Sequence, residues 1–162
     1  MKKLYIIRHA KAENPTFEGT DFERDLLPEG VEKAIQKATL LAQDLDLHTK
    51  ALTHIISSPA NRAKQTAQIF CSILQIPLDQ IHYEIKIYEA HYLELLKVLN
   101  DCSSEDAQVL IFGHNPGLSD LTAYLTDDYV GLATADIAYL TLDENIDFST
   151  LSANTAYLHK VI

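Results

Sequence analysis

The chain is short of the residues that mark several large protein classes. Its two cysteines, Cys71 and Cys102, are too few and too far apart for a disulfide framework or a paired-cysteine metal motif. Both are expected to be buried thiols in a reducing compartment. Five glycines and five prolines exclude collagen-like, linker-rich and disordered architectures, the more so because apolar residues make up 47% of the sequence. No apolar run approaches the ~20 residues that a membrane span needs. The basic start MKKLYIIRHA has an apolar stretch of only Leu4 to Ile7 before Arg8, too short for a signal peptide, so a cytoplasmic location is expected. Internal repeats and low-complexity tracts are absent.

Basic residues are scarce as well. Thirteen Lys and Arg face 23 Asp and Glu, for a net charge of −10. Residues 1–81 carry 10 basic and 10 acidic side chains, whereas residues 82–162 carry 3 and 13, so the excess belongs to the second half. Such a field repels duplex nucleic acid and anionic membranes, and neither is expected as a partner. The acidic half reads as a solvated surface that aids solubility; a docking face for a basic partner is the alternative.

What is present is enough for one domain, residues 1–162, able to bury roughly 70% of the surface of the unfolded chain. Short apolar runs alternate with longer helical patterns, the signature of a parallel sheet with crossover helices. Strands are expected at Leu4–Ile7, Leu52–Ser57, His82–Ile87, Val109–Phe112, Ile137–Leu142 and Ala156–Val161. Pro28, Glu29 and Gly30 open a helix to about Leu47, with Val31, Ala34, Ile35, Ala38, Leu41, Ala42 and Leu45 at helical spacing. Ser58 as N-cap and Pro59 as first helical residue predict a second helix, to Leu74. Further helices are expected from His91 to Asn100 and from Asn115-Pro116 to Leu125. The stretch from Ala10 to Leu27 has no regular pattern, and loops of that length in compact domains are usually functional.

Chemistry collects at equivalent places in this pattern. Arg8-His9 follows the first strand, Arg62 lies one turn into the helix after the second, and His114 follows the strand at Val109–Phe112. Ligands of open α/β sheets bind beyond the carboxyl ends of the strands, so all three segments deliver side chains to one edge. Helix N-termini at the same edge favour an anion. Two arginines, two histidines and two helix starts suit a dianionic phosphoryl group. Taken singly, a histidine after a strand is more often a hydrogen-bonded core residue, and an arginine on a first helical turn a surface residue.

The same residues carry a family resemblance. IIRHAKAE resembles the signature of the histidine phosphatase superfamily, the phosphoglycerate mutase-like proteins. SSPANRAKQTA is similar to the second signature at Ser58, Pro59, Arg62, Ala63, Gln65 and Thr66, and FGHNPGLSDL to the segment bearing the second histidine. RDLLPEG and TADIAYLTLDE resemble the short SixA branch, the phosphohistidine phosphatases. The resemblance spans nearly the whole chain with the motifs in order. It implies a three-layer α/β/α sandwich with a mostly parallel sheet, His9 as nucleophile, and Arg8, Arg62 and His114 as the rest of the phosphate pocket. Two departures stand out: Ala10 replaces the usual glycine after the first histidine, and Asn14 falls one residue before the family's asparagine.

A histidine nucleophile works through an unprotonated ring nitrogen and forms a phosphohistidine intermediate that water hydrolyses. With an ordinary pKa near 6.5 it needs neither metal nor cofactor, and no H-E-x-x-H or P-loop pattern occurs. Arginine forks bind the non-transferring oxygens. An ester leaving group requires a general acid, and the resemblance places Glu89 about where larger members carry a glutamate; a solvated carboxylate is its plain reading. Arg24, in the Asn14–Leu27 loop, is a further phosphate contact if that loop folds over, and a surface residue otherwise. Short connections at Ile87–His91 and Phe112–Pro116 leave little room for an enclosing lid, and an open pocket could admit a side chain carried on a protein. The expectation is a phosphatase of protein phosphohistidine. The alternatives are a phosphatase of small phosphomonoesters and a non-enzymatic phosphate- or phosphoprotein-binding module.

Overall fold

The computed structural model describes residues 1–45 and 49–162 in full and the backbone alone at 47 and 48. Strands β1 (Lys3–Arg8), β2 (Thr53–Ser57), β3 (Ile81–Tyr83), β4 (Gln108–Gly113), β5 (Ile137–Leu142) and β6 (Ala156–Val161) form one sheet in the order β3-β2-β4-β1-β5-β6. The pairs β1–β4, β2–β4 and β2–β3 are parallel; β5 runs antiparallel to β1 and to β6. Helices α1 (Pro28–Asp44) and α2 (Asn61–Leu74) cover one face, and α3 (Tyr92–Asn100) and α4 (Gly117–Thr126) cover the other. This is the expected α/β/α sandwich with a mostly parallel sheet. Among the described residues no helix is long and apolar enough to cross a membrane.

The unbroken apolar run of β1 follows from burial on both sides. Leu4 and Ile6 join Val109, Ile111 and Leu140 in the core under α3 and α4; Tyr5 and Ile7 join Leu110, Phe112 and Ile137 under α1 and α2. In α1 the buried positions are Gly30, Ala34, Ala38 and Leu41, and the small residues among them let the helix lie close to the sheet. Val31 and Ile35, expected on the same stripe, are instead exposed. The helix stops at Asp44, before the expected Leu47: Leu45 N–H still makes a helical bond to the Leu41 carbonyl, but its own backbone turns extended and takes the chain out of the helix.

Two local expectations need correction. The strand expected at His82–Ile87 ends at Tyr83, and Ile85–Ile87 form a 3₁₀ turn that the Glu84 side chain caps by accepting from Lys86 N–H at 3.0 Å. Ser58 is not the N-cap of α2. That helix starts at Asn61 behind Ala60, and the Ser58 hydroxyl accepts from Ala60 N–H and also bonds a histidine described below.

Candidate active site

Four of the expected site residues converge at the carboxyl ends of β1 and β4. Arg8 is the last residue of β1, in register with Gly113, and His9 N–H donates to the Gly113 carbonyl at 3.0 Å. His114 is the next residue after β4, and the rings of His9 and His114 lie 5.3 Å apart. Arg62, on the first turn of α2, is 4% exposed. Thr66, one turn on, accepts from Ala10 N–H at 3.0 Å and donates to the Arg62 carbonyl at 2.7 Å, which ties the β1 loop to α2.

Hydrogen bonding fixes the protonation pattern. His9 Nδ1 faces the Ala10 carbonyl at 2.8 Å, and since a carbonyl only accepts, Nδ1 carries the proton. The lone pair of Nε2 is left available. Burial pushes the pKa of His9 down to about 4, against the Ala10 hydrogen bond and with help from Arg62, Arg8 and Arg24. Burial likewise pushes His114 down to about 3, again with Arg62 assisting. Both rings are neutral at neutral pH. His114 Nε2 bonds the Ser58 hydroxyl at 2.8 Å, and its Nδ1 is buried with no partner.

The arginines are half-committed. Arg8 donates from Nη1 to the Leu132 carbonyl at 2.9 Å, while its Nε is buried without a partner. Arg62 donates from Nη1 to the Asp21 carbonyl at 2.8 Å and from Nη2 to the Asp21 carboxylate at 3.0 Å; its Nε, too, is buried without a partner. Buried donors left open are costly unless an acceptor completes them. These donors suit a bound oxyanion.

The long loop does fold over. Asp21 sits between Arg62 and Arg24, whose Nη1 donates to its carboxylate at 2.7 Å, and Tyr88 donates its hydroxyl to the same carboxylate. That hydroxyl first, then the two guanidiniums, hold the Asp21 carboxyl well below the usual range despite partial burial. Phe22 packs edge-on against Tyr88 with ring centroids 5.2 Å apart, and Tyr88 packs edge-on against His114 at 5.5 Å. Arg24 is thus drawn to the site through Asp21 rather than standing on the open surface. Glu89 is exposed, at the left-handed φ of 50°, and rims a cavity of about 190 Å³ with His114 and Pro116. Asn14 is exposed and takes no part.

Asp21 and Tyr88 are the residues that the sequence reading missed. One local signal was there for Asp21: Thr20 and Glu23 have capping-box spacing, and Thr20 N–H donates to the Glu23 carboxylate at 3.2 Å. It marks an ordered turn, not its target.

Fold and site together define an α/β protein with two neutral histidines and two open arginine donors at the sheet edge. A sequence model described as histidine phosphatase superfamily (branch 1) matches residues 4–95. The chain belongs to that superfamily. Comparison with curated proteins finds no match. Among solved structures, a provisionally named phosphohistidine phosphatase SixA from Nakamurella multipartitia superposes with a TM-score of 0.82 at 22% identity, over 99% of this chain and 95% of that one. A provisionally named SixA from Agrobacterium tumefaciens gives 0.79 at 24% identity, covering 99% and 97%. The protein histidine phosphatase SixA complexed with tungstate gives 0.79 at 22% identity, covering 99% and 96%.

Proposed function

We propose that the protein is a phosphatase that transfers a phosphoryl group to His9 and then to water, and that its substrate is phosphohistidine in a protein. The single observation that carries the reading is the combination of an available His9 Nε2 with the unpartnered buried Nε atoms of Arg8 and Arg62. Nε2 attacks phosphorus as the bond to the leaving nitrogen breaks and that nitrogen takes up a proton. Water then cleaves the new P–N bond, releasing inorganic phosphate and restoring neutral His9. Arg8, Arg62 and His114 meet the charge on the non-transferring oxygens in a largely dry site, where preorganised donors act most strongly. Asp21 and Tyr88 do not touch the phosphoryl group in this scheme; they position Arg62 and Arg24. Glu89, exposed on the rim of the cavity beside His114, is the proton donor if esters are turned over.

Three supports favour the protein substrate. The connections at Ile87–His91 and Phe112–Pro116 are short, an imidazole leaves readily once protonated, and the SixA structures share the fold across almost their full length. The test compares kcat/KM for a phosphohistidine protein with that for a panel of small phosphomonoesters. Rapid quenching should trap an acid-labile, base-stable phosphoenzyme that His9→Ala abolishes. A large preference for the esters would move the substrate to small molecules. Binding of phosphate without turnover would make the protein a phosphate-binding module.

A further inference from the structure

A second group of ligating side chains lies toward the opposite, amino-terminal ends of the strands. His54 is the second residue of β2, Cys102 follows α3, and Asp106 stands just before β4. His54 Nδ1, Cys102 Sγ and a carboxylate oxygen of Asp106 lie within 4.8 Å of one another, and the first and last are 3.1 Å apart. Backbone contacts hold the set in place. Ser103 N–H donates to the Asp106 carboxylate at 3.0 Å, and the Lys2 ammonium donates to the Asp106 carbonyl at 2.7 Å. His82 on β3 pairs beside Ile56, which puts it on the same face as His54, with the two rings 6.3 Å apart and edge-on. A cavity of about 160 Å³ opens against the group, lined by His54, His82, Glu84, Val98 and Cys102.

We infer that His54, Cys102 and Asp106 form a binding site for one divalent transition-metal ion of the zinc type. The donor set decides the class of ion. One nitrogen, one sulfur and one oxygen suit a borderline cation, whereas calcium and magnesium take oxygen ligands. A tetrahedral ion with bonds of about 2.0–2.3 Å needs donor separations of about 3.3–3.8 Å, within reach of the observed spread by small side-chain rotations. Cys102 packs in the core under α3 and α4, where its thiol makes only a weak contact with the Val98 carbonyl at 3.8 Å, a contact that a metal–sulfur bond can replace. On binding, the Cys102 S–H bond breaks, a metal–sulfur bond forms, and the proton leaves to buffer. The His54 proton moves from Nδ1 to Nε2, freeing Nδ1 for the metal. His82 or a water completes the fourth position. The ion would clamp β2 to the turn between α3 and β4, away from the phosphate site, and so is not a participant in the proposed reaction.

The full chain, stripped with a chelator and kept reduced with a non-thiol reductant, is titrated with cobalt(II) and then with zinc(II). The expected result is one equivalent of cobalt with a thiolate charge-transfer band, release of a proton, displacement by zinc, and a higher melting temperature with zinc. Cys102→Ser should remove the band and weaken zinc binding by at least about tenfold to a hundredfold, the loss already typical when an outer-shell partner alone is removed. His54→Ala, at a partly exposed position, should weaken it at least tenfold and decides the matter if Cys102→Ser fails to fold. His9→Ala should leave binding unchanged. No stoichiometric uptake, uptake without a thiolate band, or affinity insensitive to His54→Ala would overturn the inference, as would a loss of binding in His9→Ala.

Discussion

The guanidinium of Arg62 spends Nη1 and Nη2 on Asp21 and keeps Nε open. A long side chain on the first turn of a helix would otherwise sample several rotamers, and each would have to be frozen as the phosphoryl group arrives. Asp21 does that freezing in advance, and its charge also offsets part of the positive charge of Arg24 and Arg62. Two opposed effects are therefore expected from Asp21→Asn. Loss of a carboxylate from a cationic pocket should tighten binding of inorganic phosphate several-fold, while a looser Arg62 should lower kcat by about tenfold. Arg62→Ala sets the scale, with a fall on the order of 10²–10³ in kcat, the cost of one preorganised donor. Lys64, two residues on and exposed, should be silent when changed to alanine. Steady-state kinetics with phosphate as a competitive inhibitor separate the two effects. A loss of phosphate affinity together with kcat in Asp21→Asn would mean that the carboxylate holds up the loop rather than aiming the arginine.

At the scale of elements, the site depends on backbone meeting backbone. Gly30, in the first turn of α1, lies where a Cβ would stand 2.1 Å from the Lys11 carbonyl oxygen, the same oxygen that accepts from Leu27 N–H at 3.0 Å. Gly117 opens α4 in the same way against the Ala90 carbonyl, where a Cβ would come to 2.2 Å. Gly30→Ala should therefore cost about 1–3 kcal/mol, the usual range for overpacking, and should lower activity too, because Lys11 is two residues from His9. Gly131→Ala, with nothing within 4 Å of the added carbon, is the matched control and should be near neutral. Urea unfolding and kcat/KM on both variants check this. A Gly30→Ala protein of unchanged stability would show that the loop gives way freely. The same close approaches explain what could be read in advance. Arg8, His9, Arg62 and His114 were legible because each ends a buried strand or follows one within a few residues, and the strand–loop–helix rhythm places such residues at one edge. Asp21 and Tyr88 were not: Asp21 meets Arg62 across 41 residues and Tyr88 across 67, and nothing local in TDFE or IYEA points to the other. The early end of β3 was missed for a related reason. Ile85 and Ile87 alternate as strand residues do, but the Glu84 side chain captures Lys86 N–H and bends the chain into a turn.

For the molecule as a whole, the two buried imidazoles link the site to stability. In the unfolded chain each would take up a proton near its ordinary 6.5; in the folded protein burial holds them neutral down to about 4 for His9 and about 3 for His114. Between these limits the unfolded state binds more protons than the folded state, so stability falls as pH falls. The loss begins near pH 6.5, has a slope of up to about 1.4 kcal/mol per pH unit for each histidine, and levels off below the folded values. Asp21 works in the same direction lower down. Its folded pKa is depressed from 3.8, so its contribution is present above that value and is lost only as pH falls through the folded one. The expected profile of unfolding free energy is flat above pH 7 and declines steadily from 6.5 toward 4. Substituting glutamine for both His9 and His114 should flatten that decline without removing the fold, since neither ring belongs to either apolar core. The acid limb of kcat/KM for the proposed reaction should lie near pH 4 for the same physical reason, because the free protein keeps His9 neutral down to there. A decline of the same slope in the doubly substituted protein would place the responsible groups elsewhere, and an acid limb near 6.5 would mean that the site is wetter than its burial implies.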